Sequence, residues 1–310
     1  MSLTKDDLRM ALIQANPHLS RYNPLPRILF FDDFDQGING WVELTGNHNG
    51  DLTRIREITR DLRPPQLSTC TFFDVGTHGS VNGVYSMKLA TRPKAGHMSQ
   101  AIKRMTFVKQ GLVQLETYFT FKSEQSFDWS DTERQAWDGN QDPSETHFGE
   151  FTFSNDNCED HNGARYHCAL RYVNADEHGN LVHKWMYKTS LQTSTKMQMS
   201  GMVKPPEDYH VQNPDDWKEV PGGYQPLCYN EIPTKVNWHY LRWVWDTRTR
   251  RNVELQVNNN VMDLRDIPVP VYDHPYSGLS HLLNFCIDVR TRRNVRNFLF
   301  LDSILVSVDW

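Results

Sequence analysis

The amino-acid sequence predicts an all-β protein: a two-sheet antiparallel sandwich over residues 28–310, preceded by a short N-terminal helical extension over residues 1–27. Three observations carry that prediction. From residue 28 onward the chain breaks into eleven short runs of alternating apolar and polar residues, separated by Gly, Asn, Asp and Pro. A helical period is readable only once, before residue 17. Aromatic residues make up 12% of the chain, a generous share that suits pleated, half-buried surfaces. Alternating βα units are missing, so a parallel sheet is not expected.

The helix is read from Thr4 as cap, Asp6 and Asp7 in the first turn, and Leu8, Ala11, Leu12 and Ala15 at helical spacing, with Asn16-Pro17 ending it. The strand runs follow in order. ILFFDDF, YSMKLAT, QAIKRMTF and LVQLETYFTFK come first, then FGEFTFS, RYHCALRYV and LVHKWMYKT, and finally HYLRWVWD, VELQVNN, LLNFCIDV and LFLDSILVSV. Between the sixth and fifth of these from the start, SNDNCEDHNG at 154–163 reads as a hairpin loop, and its Cys158 and His161 have no zinc-site spacing. Two stretches read as long loops: the acidic 123–147, which carries Trp129 and Trp137, and the Met-, Pro- and Gly-rich 196–234. Loops beyond about 12–15 residues in a compact domain are usually functional or disordered. No linker divides the chain, so one sandwich domain is expected.

The bulk chemistry excludes several classes. A net charge of -5 disfavours a generic nucleic-acid binder, whose affinity comes largely from basic side chains displacing counterions. No apolar run approaches the roughly 20 residues of a membrane span. The first residues lack a basic start followed by an apolar core, so no secretory signal is read. Cys70, Cys158, Cys168, Cys228 and Cys286 are odd in number and irregularly spaced, which points to free thiols and a cytoplasmic setting. Phosphate-binding glycine loops, nucleophile elbows and zinc-protease signatures are not found.

The sequence RTRRNV occurs twice, at 248–253 and 290–295, each time two positions after an aspartate, Asp246 or Asp288. Both copies lie between strand runs and read as turns opened by aspartate. In one reading the arginines are solvated and contribute little to stability. In the other the two turns cluster at one edge, where guanidinium forks clamp an anion.

FFDDFDQGINGW at 30–41, WHYLRWVWDTRTRRNVELQVNNNVMDL at 238–264 and NFLFLDSILVSV at 297–308 resemble the first strand, the Trp-His hairpin and the closing strand of the concanavalin A-like lectin and glucanase superfamily, laminin G-like jelly rolls included. GVYSMKLAT at 83–91 fits a further, weaker element. The resemblance implies a jelly roll in which the first and last strands pair, and it puts carbohydrate recognition first among functions. It describes scaffold, and a fold does not choose a chemistry. Related sandwiches often hold a structural calcium where the termini meet. Asp32, Asp33 and Asp35 with Asp302 are the oxygen ligands this chain would offer, and no other cofactor is expected.

Alternation also assigns candidate site residues. Arg165, His167 and Arg171 share one face of RYHCALRYV, opposite Tyr166, Cys168, Leu170 and Tyr172. Placed in one sheet with the polar faces of neighbouring runs, they would form a surface with Glu116, Tyr118, Glu150, Tyr240 and Arg242. Trp129 and Trp137 would supply stacking from the long loop. Such a surface suits a sugar chain, an acidic one included; the alternative is an ordinary solvated sheet face. Two enzymatic readings share these residues. A lyase would use His167 as base, Arg165 or Arg171 to neutralise a uronate, and Tyr118 or Tyr240 as proton donor. A hydrolase would pair Glu116 with Glu150, although the chain lacks the Glu-x-Asp-x-x-Glu strand of the superfamily's glucanases. A protein-interaction sandwich without a glycan is the remaining class.

Overall fold

The computed structural model describes residues 4–43, 62–69, 79–107, 109–124, 144–159, 164–189, 197–198, 201–202, 217–230, 237–273 and 281–310. One helix, α1 (Lys5–Ala15), precedes β1 (Arg27–Asp32), β2 (Gln66–Ser68), β3 (Ser86–Ala90), β4 (Met98–Thr106) and β5 (Leu112–Ser123). A 3-10 turn at Glu145–His147 leads into β6 (Glu150–Cys158), β7 (Ala164–Ala175) and β8 (Leu181–Lys188). A two-stranded ribbon, β9 (Met197–Gln198) and β10 (Gly201–Met202), comes next, then β11 (Trp217–Tyr224), β12 (His239–Asp246), β13 (Arg251–Val257) and β14 (Asn260–Asp263). The chain closes with β15 (Val271–Asp273), β16 (Leu282–Arg290) and β17 (Asn297–Val308).

These strands form two antiparallel sheets packed face to face. The first runs β14-β13-β12-β5-β17-β3-β2, with β1 also on β17; the second runs β11-β8-β7-β6-β16-β4, with β15 also on β7. The sandwich is therefore as expected, and so is the pairing of its ends: Phe31 lies opposite Leu305 and Asp32 opposite Ile304. Inward-facing residues follow the alternation read from the sequence. Leu115, Phe119 and Phe121 of β5 meet Phe151 and Phe153 of β6, Tyr172 of β7 and Phe285 of β16 in one core. Ring contacts such as Phe119 to Phe151 at 5.1 Å and Trp245 to Phe285 at 5.9 Å tie the two sheets together.

One backbone feature makes the closing strand work. Leu299 and Leu301 point inward, and so do Ile304, Val306 and Val308, a change from odd to even positions. Ser303 accommodates the change, with φ 59 at a register shift between Asp302 and Ile304. An extra residue in one strand re-aims everything after it.

The helix forms with the expected capping box: Thr4 accepts from the Asp7 amide, and the Asp7 carboxylate accepts from the Thr4 amide at 2.9 Å. Its apolar stripe is not a core face, since only Ile13 is buried and Leu8 and Leu12 are exposed. The chain after it crosses the outer face of the first sheet. The Tyr22 hydroxyl donates to the Ser303 carbonyl at 3.2 Å, and the Leu25 amide donates to Ser307 Oγ at 3.0 Å.

Several expectations about loops are corrected. The stretch 196–234 contains a strand, β11, whose Pro221 is tolerated because, among the described residues, β11 pairs only with β8 and shifts register between Glu219 and Tyr224. The presumed hairpin loop at 154–163 is strand as far as Cys158, and the inward Asn155 and Asn157 are buried. The Asn155 amide donates to the Asn284 carbonyl, which offsets the cost of burying it. Trp129, Trp137, His161 and Cys70 lie outside the described residues. Cys158, Cys168, Cys228 and Cys286 are free thiols.

The two RTRRNV turns sit at opposite ends of the sandwich, which rules out a joint anion clamp. The first follows Asp246, opposite Leu112 at the start of β5, while the second precedes Asn297, opposite Ser123 at the end of β5. A 12-residue strand separates them, about 40 Å at ~3.3 Å per residue. Both nevertheless grip the same strand. Arg250 forks onto Glu159, just past the end of β6, with Nε and Nη2 at 2.6 and 2.8 Å. Arg292, its counterpart in the second copy, reaches Glu150 at the start of β6 at 2.8 and 2.5 Å. These arginines are paired rather than solvated.

Candidate functional site

The composite surface expected from alternation divides in two, because its strands belong to different sheets. Glu116, Tyr118, Tyr240 and Arg242 lie on β5 and β12 of the first sheet, whereas Glu150, Arg165, His167 and Arg171 lie on β6 and β7 of the second. Both groups face outward, on opposite sides of the sandwich. Glu116 and Glu150 are therefore no catalytic carboxylate pair, and neither Tyr118 nor Tyr240 can pass a proton to or from a group served by His167. Period-two alternation reports which residues share a side of a strand but says nothing about which sheet the strand joins.

The first-sheet group is a seam for the N-terminal segment. The Glu116 carboxylate is fully buried and accepts from the Asn23 amide at 2.9 Å, Gln114 Nε2 at 2.8 Å and the Tyr240 hydroxyl at 2.6 Å. Tyr118 packs edge-on against Tyr22 at 5.8 Å, with the Arg21 guanidinium over its ring. Arg242 is ion-paired with Glu254. Burial, reinforced by Glu116, raises the Tyr240 hydroxyl far above its ordinary range. Glu116 and Tyr118 fasten the segment down, and Tyr240 joins them through its hydrogen bond to Glu116.

The second-sheet group is the candidate site, and it differs from a solvated face. Glu150 is 1% exposed, Asp288 and His167 3%, and Arg171 4%. Strand register arranges the face in rows. Gln100 of β4, Asp288 of β16, Thr152 of β6 and Arg171 of β7 are directly opposed in turn. Two rows toward the chain start of β16, four residues along each strand, Asn284 opposes Asp156, which opposes His167. At the β11 side the Arg171 guanidinium lies 3.8 Å from the centre of the Trp217 ring, and Lys188 Nζ lies 5.3 Å from it.

Charge on this face is tightly organised. Burial alone would raise Glu150, but Arg171, Arg292 and Arg290 together hold its carboxyl below the usual range. Arg171 Nη1 stands 3.4 Å from it. Asp156 is likewise held well down against its burial by Arg165, at 2.5 Å, and His167, at 3.0 Å. Burial lowers His167, so the ring is neutral near pH 7, with Asp156 opposing the shift. Asp288 goes the other way: burial, with Glu150 adding, outweighs Arg171 and pushes its carboxyl up to about 7.

Four buried polar atoms of this face take no hydrogen bond among the described residues: Gln100 Oε1, Asp288 Oδ2, Asn284 Oδ1 and Trp217 Nε1. Buried polar groups are nearly always satisfied, and each one left bare costs about 1–3 kcal/mol. These three acceptors and one donor are spread along the face, from Gln100 on β4 at one edge of the sheet to Trp217 on β11 at the other.

The aspartates expected to hold calcium do not converge. Asp32 accepts from Trp41 Nε1 at 2.9 Å and from Lys103 Nζ at 2.5 Å, so an ammonium stands where the cation was expected. Asp33 accepts from the Asp35 amide, Asp35 from the Val84 and Tyr85 amides, and Asp302 from the Val81 and Asn82 amides. Among the described residues no three His, Cys, Asp or Glu side chains gather to hold a metal.

Reading the sequence missed Gln100, Asp156, Lys188, Trp217, Asn284 and Asp288. The signal for two of them was present: in LLNFCIDV, Asn284 and Asp288 alternate with core Leu283, Phe285 and Ile287. Asp288 passes for a turn-opening residue because of the repeat that follows it. Trp217 had no such signal, since its strand is broken by Pro-Gly-Gly.

The chain belongs to the family described as domain of unknown function (DUF6772), whose sequence model matches residues 9–310. No curated protein matches. Among solved structures it is similar to the cellulose induced protein Cip1, at 12% identity over 90% of this chain and 96% of that one, with a TM-score of 0.39. It is also similar to the carbohydrate recognition domain of Emp47p, at 11% identity over 79% and 89% and a TM-score of 0.37. A legume lectin-like domain from Entamoeba histolytica matches at 9% identity over 82% and 92%, with a TM-score of 0.34. Likeness at this level assigns no residue role and no ligand to the present chain.

Proposed function

We propose that this member of the DUF6772 family recognises carbohydrate, preferentially an acidic one, on the outer face of its second sheet and without turning it over. The observation that supports it best is the Arg171 guanidinium stacked on the Trp217 ring, on the same outer face as Asp288, whose Oδ2 takes no hydrogen bond among the described residues. A sugar meets both halves of that chemistry. Its hydroxyls donate to bare acceptors, and its C–H face packs on an aromatic ring. Selectivity for acid groups is supported by charge. The Arg171 guanidinium stands on this face against the Trp217 ring, and a guanidinium fork suits a carboxylate. A binding role is favoured over the lyase and hydrolase readings because the residues each of those needs stand on opposite sides of the sandwich.

The test is titration with uronate oligosaccharides and with the same oligosaccharides after carboxyl reduction, while monitoring unsaturated products and new reducing ends. Binding of the uronate forms without either product is expected, weakened at least tenfold in Trp217→Ala and unchanged in Tyr240→Phe. Turnover would move the protein to the enzymes. Affinity indifferent to Trp217→Ala would mean that another face binds, and no binding across the panel would end the carbohydrate reading.

A further inference from the structure

We infer that this face takes up an anionic ligand together with a proton on Asp288, so that the ligand's acid group lies between the Asp288 carboxyl and the Arg171 guanidinium. The inference rests on the carbohydrate reading and adds the contact that fixes the acid group and makes binding depend on pH.

Register supplies the geometry. Asp288 and Arg171 flank Thr152, so they stand two strand spacings apart, about 10 Å. Thr152 between them is short and engages both, its Oγ1 accepting from Arg171 Nε at 3.4 Å and its hydroxyl bonding the Asp288 carboxyl. A small planar acid group seated over Thr152 would reach both the Asp288 carboxyl and the Arg171 guanidinium. Among the described residues Asp288 Oδ2 takes no hydrogen bond, and neither does Oε1 of Gln100, directly opposite on β4. An ionised, unpaired carboxylate oxygen is the costly form of Asp288 here. A protonated one is a donor in need of an acceptor, and a carboxylate or sulfate oxygen provides one in a short, charge-assisted hydrogen bond.

The groups facing Asp288 set the sign of the response. Glu150 of β6 repels its negative form, while Arg171 of β7 and Arg290 of its own strand stabilise it. Arg292 is committed to Glu150. Cys286, two residues away on the same face, is held protonated by burial, and His167 is neutral above its lowered pKa. Asp288 is thus the group of this face that titrates near neutrality, at about 7, and a bound anion raises it further. By linkage the ligand binds with constant affinity below about pH 7 and loses about tenfold in affinity per pH unit above it.

The experiment is calorimetric titration of the intact protein with a galacturonate tetrasaccharide at pH 6.5, 7.5 and 8.5, in two buffers of different ionisation enthalpy. Binding at pH 8.5 is expected about 30-fold weaker than the low-pH plateau, with close to one proton taken up per site. In Asp288→Asn the pH profile becomes flat, and the carboxyl-reduced tetrasaccharide shows no proton uptake with the natural protein. A flat profile and no proton uptake in a wild-type protein that does bind would overturn the inference alone. The same holds if Asp288→Asn keeps the slope. If the tetrasaccharide does not bind at any pH, the carbohydrate reading falls and takes this inference with it. Should Asp288→Asn fail to fold, proton uptake by the natural protein in the two buffers still decides.

Discussion

Replacing Arg292 by alanine removes two nitrogens from a carboxylate that is 1% exposed. Arg171 and Arg290 remain at 3.4 and 3.8 Å, so Glu150 keeps part of its compensation. Complete loss of partners for a buried charge costs about 3–5 kcal/mol, and with two cations left about 2–3 kcal/mol is expected. The equivalent change in the other copy, Arg250→Ala, breaks a fork to Glu159 of similar geometry, but the Arg250 side chain is 40% exposed. Solvent screening reduces that pair to about 0.5–1 kcal/mol. For 310 residues the entropy of unfolding is about 0.65 kcal/mol per kelvin, so Tm should fall by about 4 °C for Arg292→Ala and about 1 °C for Arg250→Ala. Scanning calorimetry on both variants, with urea titrations to check that cooperativity is kept, measures the difference. Equal losses, or a larger one at Arg250, would refute the argument that burial rather than sequence position sets the worth of these arginines.

Asp288→Asn should flatten the dependence of stability on pH. The folded chain holds the Asp288 proton up to about pH 7, so its contribution is complete below the unfolded value near 3.8 and is lost as pH rises through about 7. The loss is at most about 4 kcal/mol, and urea midpoints from pH 5 to 8 that fall equally in both proteins would contradict it. Glu116→Gln turns one accepting oxygen into a donor, facing Gln114 Nε2 in one orientation and the Asn23 amide with the Tyr240 hydroxyl in the other. A loss of about 1–3 kcal/mol is expected, with faster hydrogen exchange in the segment around Asn23 and unchanged protection in β6 and β7. Unaltered exchange at Asn23 would show that Glu116 does not fasten the segment.

What the sequence made legible was local. The inward faces of β5, β7 and β16 follow from strict alternation, and the pairing of FFDDF with LFLDSILVSV from the resemblance of the two ends. What stayed hidden depends on contacts between distant residues. Nothing in LVQLETYFTFK and RYHCALRYV says that they belong to different sheets, and that single unknown merged two outer faces into one imagined site. The left-handed Ser303 is hidden as well, because serine carries no demand for positive φ and the shift shows only in the pairing with β5. Arg165, His167 and Arg171 were nonetheless correctly set on one face, since a strand's own parity is independent of its neighbours.

The grip of Arg250 and Arg292 on β6 has a consequence for sliding motion. A strand can slip along its neighbours only by carrying both of its ends in the same direction, about 3.3 Å for each residue of slip. Glu150 and Glu159 lie at the two ends, each clasped by an arginine rooted outside the strand. A slip either way therefore opens both clasps at once, and a one-residue slip would also turn Phe151 and Phe153 outward. The repeated octapeptide acts on β6 as a pair of end stops, fixing where the strand sits lengthwise while the core fixes which way it faces.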